Sequence, residues 1–296
     1  MRRSRVQIPE AAQFKTKGAI VTSNANKSED RMKKAKKVNL KRSLFLFRLQ
    51  GNDNQFKNFL LKHYEQIDSV LNKNSQERLF ANYISRIKNK NYSQFYQDLF
   101  ITYYFKNKRD LYFVEFGACD GIHLSNTYYL EKELNWTGIL SEPAKIWHKA
   151  LLDNRSCIIN TDCIAAISGE QIDFSETTRP ELSTINTHLQ NDLHSSRRII
   201  KAKYKVQTLS LNDLLEQNDA PLEIDVISID TEGSEIEILE PFDFQKYTIN
   251  IIIVEHNYEK KRKEKLKKLL GKQNFKPVLT KISGPDFWFI NENKMQ

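Results

Sequence analysis

Two glycines frame a turn that is suited to close contact with a ligand. Gly117 and Gly121 follow the apolar segment Tyr112–Phe116 and precede a helical pattern. Glycine permits a tight turn and lets a ligand or another part of the chain approach the backbone closely. The spacing differs from the G-x-G-x-x-G of dinucleotide-binding folds, which disfavours an NAD-linked dehydrogenase. By themselves, the glycines are also compatible with a plain strand–turn–helix connection.

A carboxylate follows this turn at a sequence separation that is typical of ribose recognition. Glu142 lies 21 residues beyond Gly121, at the end of a second apolar segment. An acidic side chain at the carboxyl end of a second strand can accept hydrogen bonds from two ribose hydroxyls. The alternative is a surface glutamate before Pro143, a residue type that often begins a helix. Asp162, just past a third apolar segment, is a candidate to meet an adenine amino group.

Two acidic residues and a histidine follow the next two apolar segments. Asp230 and Glu232 come after residues 224–229, and His256 comes after residues 249–254. Ligands of open α/β sheets bind at the carboxyl ends of strands, so these side chains are candidates for catalysis. Histidine titrates near neutrality and is the first candidate for a general base, with Asp230 the second. Asp230 and Glu232 could instead hold Mg²⁺ through oxygen ligands.

Strand and helix patterns alternate through residues 111–296, which predicts an α/β domain with a doubly wound, mostly parallel sheet. The last two strands, residues 275–279 and 287–290, lack a helix between them and predict an antiparallel hairpin at one edge. The polar segment 170–205 interrupts the alternation. It is either a substrate-facing lid or hairpin, or a solvated insertion.

The chain before residue 111 divides into two parts. Residues 43–110 carry apolar residues at helical spacing and predict helices packed on the core. Residues 1–42 are polar and basic and predict a disordered tail, in which Met32 is an alternative start. A basic tail of this kind could contact a membrane surface.

The positive charge is concentrated at the N-terminus. The chain has a net charge of +9, and its first 50 residues hold fourteen Lys and Arg against three acidic residues. The remaining 246 residues therefore carry −2, which weakens a nucleic-acid-binding role for the folded part. No apolar stretch approaches the roughly 18 residues of a membrane span, and no secretory signal follows the basic start. Three cysteines without metal-ligand spacing predict free thiols in a cytoplasmic protein.

Five segments, taken together and in this order, resemble the FkbM family of S-adenosylmethionine-dependent methyltransferases. They are residues 93–100, 113–121, 138–143, 230–235 and 254–257. The resemblance implies a seven-stranded, Rossmann-like class I methyltransferase sheet. It also implies S-adenosylmethionine as donor and a hydroxyl acceptor, often on a sugar.

The resemblance further implies roles for individual residues. Glu115, Gly117 and Gly121 would hold the methionine end of the donor, Glu142 its ribose and Asp162 its adenine. The full set of implied cofactor-binding residues is Glu115, Gly117, Ala118, Asp120, Gly121, Glu142, Asp162 and Asp230. Asp230, Glu232 and His256 would face the acceptor and carry catalysis.

The expected activity is O-methylation of a sugar, a glycan or a secondary metabolite. Two alternatives stay open at this point. One is an RNA methyltransferase that uses the basic tail as its arm. The other is a methyltransferase-like fold without activity that serves as an interaction module. The sequence leaves the methyl acceptor and the oligomeric state undecided.

Overall fold

The computed structural model describes residues 75–87, 91–186 and 198–294, which lie within the compact unit Lys57–Gln296. The predicted tail, residues 1–42, and the predicted helices of residues 43–74 lie outside the described residues. Within the described ranges, none of the helices combines the length and apolar character that crossing a bilayer requires.

Strands and helices alternate along most of the described chain. The strands are β1 (Tyr112–Phe116), β2 (Thr137–Ser141), β3 (Ile158–Asn160), β4 (Cys163–Ala165), β5 (Gln171–Thr177), β6 (Thr184–Ile185), β7 (Ile200–Ser210), β8 (Glu223–Ile229), β9 (Thr248–Glu255), β10 (Phe275–Val278) and β11 (Asp286–Asn291). The α-helices are α1 (Gln76–Arg86), α2 (Gln97–Tyr104), α3 (Tyr128–Leu134), α4 (Lys145–Asn154), α5 (Leu211–Gln217), α6 (Glu235–Leu239) and α7 (Lys260–Gly271).

Seven strands form the main sheet, in the order β10-β11-β9-β8-β1-β2-β3. The five strands from β9 to β3 run parallel, and β11 runs antiparallel to both β9 and β10. The predicted α/β fold, with a mostly parallel Rossmann-like sheet and a C-terminal antiparallel hairpin, is therefore confirmed. The strand order reverses between β1 and β8, and such a switch point opens a ligand crevice at the carboxyl ends of the strands.

Both faces of the central strands are buried. Val114, Ile227 and Ile252 are inaccessible to solvent and share one hydrophobic core with side chains of α6 and α7. Their chain neighbours Phe113 and Val226, which point to the opposite face, are equally inaccessible. This two-sided burial explains why apolar residues are adjacent in these strands rather than alternating strictly with polar ones.

The helices that precede the sheet pack against β11. α1 begins after Ser75, whose hydroxyl accepts a hydrogen bond from the Arg78 amide at 3.3 Å, as an N-cap does. The buried Phe80 ring meets the Trp288 indole edge-on at 5.8 Å between centroids. Phe100 of α2 stacks on the same indole at 4.6 Å. The aromatic contacts therefore fix both helices on the sheet.

A second, smaller sheet has the order β4-β7-β5-β6. β5 and β7 are antiparallel, with pairing from Gln171 and Gln207 to Thr177 and Ile200. The consecutive strands β5 and β6 are also antiparallel, so the polar segment 170–205 contains a strand hairpin, one of the forms that the sequence predicts for it. Its role as a lid stays a prediction, and residues 187–197 lie outside the described part of the chain.

Candidate active site

A cleft opens at the carboxyl ends of β2, β1, β8 and β9, at the switch point of the main sheet. The strand ends contribute Phe116, Gly117, Ser141, Glu142, Asp230 and Glu255 to its lining. Residues 180–185, ahead of and within β6, contribute another part of the lining. Gln94 and Gln97, at the start of α2, also contact it. The topology thus gathers residues that are far apart in the chain around one cavity.

The two predicted turn glycines serve different purposes. Gly117 has φ +75°, and a Cβ at this position would lie 2.0 Å from the Asp230 carbonyl oxygen. Gly121 has φ +79°, and its Cβ would lie 2.6 Å from Cγ of Arg155. Both positions therefore require glycine for conformation and for space. Gly117 lines the cleft, whereas Gly121 makes room for a side chain of its own protein.

Glu115 is a buried carboxylate in the cleft wall that holds the loop after the glycine turn. It accepts hydrogen bonds from Ser125 Oγ at 3.0 Å, from the Asn126 amide at 2.6 Å and from Thr127 Oγ1 at 2.5 Å. Asn126 also lines the cleft, and its Nδ2 donates to Ser228 Oγ at 2.8 Å. The buried Oδ1 of Asn126 has no hydrogen-bond partner among the described residues. Asn126 thus connects the loop that Glu115 holds to β8.

Glu142 is held by the backbone at the carboxyl end of β2. Its Oε2 accepts from the Cys119 amide and its Oε1 from the Ala144 amide, both at 2.8 Å. Burial raises the pKa of this carboxyl to about 7 against the lowering effect of these two bonds, and the charge of Asp230 adds to the rise. A carboxylate offers about four acceptor positions, so Glu142 can accept from two further donors.

Three carboxylates meet on the β8 and β9 side of the cleft. Asp230, Glu232 and Glu255 each place an oxygen within 4.8 Å of the others. Asp230 is accessible to solvent within the cleft, yet the surrounding protein atoms and the charge of Glu235 raise its pKa to about 7. Burial and repulsion from Asp230 raise the pKa of Glu255 well above its usual range. Asp230 and Glu255 therefore hold protons more tightly than exposed carboxyls do.

Neighbouring groups fix two of these carboxylates. Arg198 donates from a terminal guanidinium nitrogen to Glu232 Oε2 at 2.7 Å, and its Nε donates to the Leu182 carbonyl at 2.9 Å. Asn257 Nδ2 donates to Glu255 Oε2 at 2.7 Å. Arg198 lies two residues before the small-sheet strand β7. It thereby connects this sheet to the carboxylate cluster and offsets part of the negative charge.

The structure does not bring His256 into the cleft lining. Its ring is buried and meets the ring of Phe287 edge-on at 4.4 Å between centroids. Its Nδ1 accepts from the Tyr258 amide at 3.0 Å. The cleft instead receives Glu255, which sequence reasoning did not single out. The available signal was its position at the end of the predicted strand, one residue before the histidine.

Four residues of the implied cofactor set also lie outside the cleft lining, namely Gly121, as described above, and Ala118, Asp120 and Asp162. Asp120 bends back over its own turn, and its Oδ1 accepts from the amides of Ile122 and His123 at 2.9 and 2.8 Å. Ala118 is buried, and Asp162 is half-buried beyond β3. The cleft does bring together Glu115, Gly117, Glu142, Asp230 and Glu232.

Comparison with known proteins relates the chain to methyltransferases. No curated protein matches it. Among solved structures, it is similar to precorrin-6y C5,15-methyltransferase from Geobacter metallireducens, with 12% identity and a TM-score of 0.34 over 65% of this chain and 85% of that one. A model of the methyltransferase FkbM domain matches residues 115–283, which is more than half of the chain. The protein therefore belongs to the FkbM family and is a methyltransferase.

Proposed function

We propose that the protein transfers a methyl group from S-adenosylmethionine to a hydroxyl of a sugar, glycan or secondary metabolite. The observation that carries the proposal is Glu142, a buried carboxylate in the cleft wall whose two oxygens are each fixed by one backbone amide. Each oxygen keeps acceptor capacity for a ribose hydroxyl. The position at the end of the second strand is the one at which nucleotide-binding α/β folds recognise ribose.

The residues around the cleft fit the rest of the donor. Gly117 brings backbone to the cleft surface at a position where a side chain would not fit. Asn126 lines the cleft with its polar amide, and Glu115 adds negative charge beside it. Both groups suit the positively charged amino group of a methionine moiety. We therefore assign Glu115, Gly117 and Asn126 to the methionine end and Glu142 to the ribose.

The chain must also prepare the acceptor. The methyl group of a sulfonium is already activated, so the protein has to align an acceptor oxygen with it and exclude water. An alcohol is a poor nucleophile until a base removes its proton. We assign this role to Asp230, because it lines the cleft and its carboxyl pKa of about 7 suits proton transfer near neutrality. His256 stays an alternative base that would have to act from outside the cleft lining.

The carboxylate cluster also fits a divalent cation. Asp230, Glu232 and Glu255 present oxygen ligands close together, and oxygen is the ligand that Mg²⁺ prefers. A cation held there would lower the pKa of the acceptor hydroxyl. Chelation separates the two possibilities. Activity that is lost with EDTA and restored by Mg²⁺ supports a metal, and activity that is unchanged supports a carboxylate acting alone.

Calorimetric titration with S-adenosylhomocysteine tests the donor site. We expect the wild-type chain to bind it and Glu142→Ala to weaken binding by at least about 10-fold, because two hydrogen bonds to a charged acceptor are lost. Glu181→Gln is the matched control, since Glu181 lines the cleft from the small-sheet side. Equal losses in both variants would refute the assignment of Glu142. No binding by folded wild-type protein would favour an inactive interaction module.

A further inference from the structure

A buried arginine supports the cleft wall from behind. We propose that Arg155 is a positioning residue for the methyl donor, because it orders the loop 121–127 and through it the Glu115 carboxylate. This inference rests on the proposed function and extends it to a residue outside the cleft lining. Arg155 directly follows α4, and its side chain is inaccessible to solvent.

The guanidinium binds the loop at three points. One terminal nitrogen donates to the Gly121 carbonyl at 3.1 Å and to Ser125 Oγ at 3.2 Å. The other donates to Thr127 Oγ1 at 2.9 Å. A single rigid, planar group therefore connects the beginning, the middle and the end of the loop.

These contacts contribute to how the two hydroxyls are used, together with the amides of Thr127 and Tyr128, which donate to Ser125 Oγ at 3.2 and 3.1 Å. Ser125 Oγ and Thr127 Oγ1 each receive an N–H of Arg155, and each also lies within hydrogen-bond distance of Glu115 Oε2. A hydroxyl that accepts from a guanidinium is left with its own proton to donate. Both protons are then directed to Oε2, while the amide of Asn126 takes one acceptor position of Oε1. Oε1 keeps one acceptor position for a hydrogen bond from the methyl donor, S-adenosylmethionine.

The charge of Arg155 is balanced within the protein. Its Nε donates to Glu131 Oε2 at 2.5 Å, and a terminal nitrogen lies 4.0 Å from Glu115 Oε2. Burial alone would raise the pKa of Glu131, but the hydrogen bond from Lys132 and the charge of Arg155 hold it at about 2. Removing the guanidinium would leave the buried Glu115 carboxylate without this positive charge and Glu131 with Lys132 as its remaining cation partner, which is unfavourable.

The surroundings of Arg155 are specific for arginine. The guanidinium lies over the rings of Phe113 and Tyr128, at 5.5 and 5.8 Å from their centroids. Gly121 leaves the space that the Arg155 methylene groups occupy. A lysine ammonium cannot reach three loop acceptors and a carboxylate at once, and it does not stack on rings as a plane does. The packing of Arg155 therefore depends on glycine at position 121.

Titration with S-adenosylhomocysteine tests the proposal in Arg155→Lys and in the milder pair Thr127→Val and Thr127→Ser. We expect Arg155→Lys and Thr127→Val to lose at least about 10-fold in affinity, and Thr127→Ser to keep it because its hydroxyl remains. Asn250→Ala is the stability control. Asn250 is buried and donates to Asp225 at 3.1 Å, near the amino ends of β9 and β8 and so away from the cleft at their carboxyl ends.

The thermal midpoint of each variant is measured beside its affinity. Weaker binding by Arg155→Lys and Thr127→Val, with unchanged binding by an equally destabilised Asn250→Ala, supports the positioning role. Wild-type affinity in both Arg155→Lys and Thr127→Val overturns the positioning role and leaves the proposed function intact. Loss of affinity in Asn250→Ala that tracks its thermal midpoint also overturns it. No binding by wild-type protein refutes the donor site itself and the positioning role with it.

Discussion

Replacement of Gly117 by alanine should both destabilise the protein and damage the donor site. The new Cβ would lie 2.0 Å from the Asp230 carbonyl oxygen, and the backbone at φ +75° disfavours any side chain. Positive φ costs a non-glycine residue about 1–2 kcal/mol, and forcing an atom against rigid backbone adds about 1–3 kcal/mol. We therefore expect Gly117→Ala to lower the free energy of unfolding by about 2–5 kcal/mol.

Two other glycines separate these contributions. A Cβ at Gly169 meets nothing within 4 Å, but the residue has φ +87°, so Gly169→Ala measures the conformational cost alone. A Cβ at Gly138 would lie 2.1 Å from the Phe113 carbonyl oxygen at the amino end of β2, and Gly138 does not adopt a positive φ. Gly138→Ala therefore measures the steric cost alone, away from the cleft.

Urea unfolding followed by circular dichroism gives the three free energies, and titration with S-adenosylhomocysteine gives the affinities. We expect the cost of Gly117→Ala to approach the sum of the two control costs. We also expect Gly117→Ala to weaken ligand binding, because Asp230 must move, while Gly138→Ala binds normally. A Gly117→Ala cost no larger than that of Gly169→Ala would refute the reasoning from close contact.

Two further predictions concern the acidic groups. Asp230→Asn should lower methyl-transfer turnover by about 10²–10⁴-fold, the usual contribution of a general base, while S-adenosylhomocysteine still binds. Full turnover by Asp230→Asn and its loss in His256→Ala would transfer the role to the histidine. Burial, with repulsion from Asp230, raises the pKa of Asp286 from 3.8 to about 8. Between these values the unfolded chain ionises first, so wild-type stability should fall with rising pH by up to about 1.4 kcal/mol per pH unit, relative to Asp286→Asn. Denaturant unfolding across pH 4 to 9 measures this difference, and a difference that does not change with pH would contradict it.

The main sheet could be predicted from the residues because its central strands are buried on both faces. The apolar segments that became β1, β8 and β9 are long enough, and regular enough, to show their strands without tertiary information. The small sheet was harder to predict. β4 and β6 have three and two residues, and such short strands exist only because a neighbouring strand pairs with them.

The polar residues that follow the strands could likewise be recognised, because parallel strands bring their carboxyl ends to one edge. Residue types and order therefore sufficed to predict that Glu142, Asp230 and Glu232 lie together, and all three line the cleft. Whether Glu255 or His256 enters the cleft depended on the side to which each side chain points, since successive side chains of an extended chain point to opposite sides. Glu255 lines the cleft and His256 packs against Phe287 for this reason. Arg155, 34 residues beyond Gly121, could be placed behind the glycine turn only by the packing of α4 on the sheet.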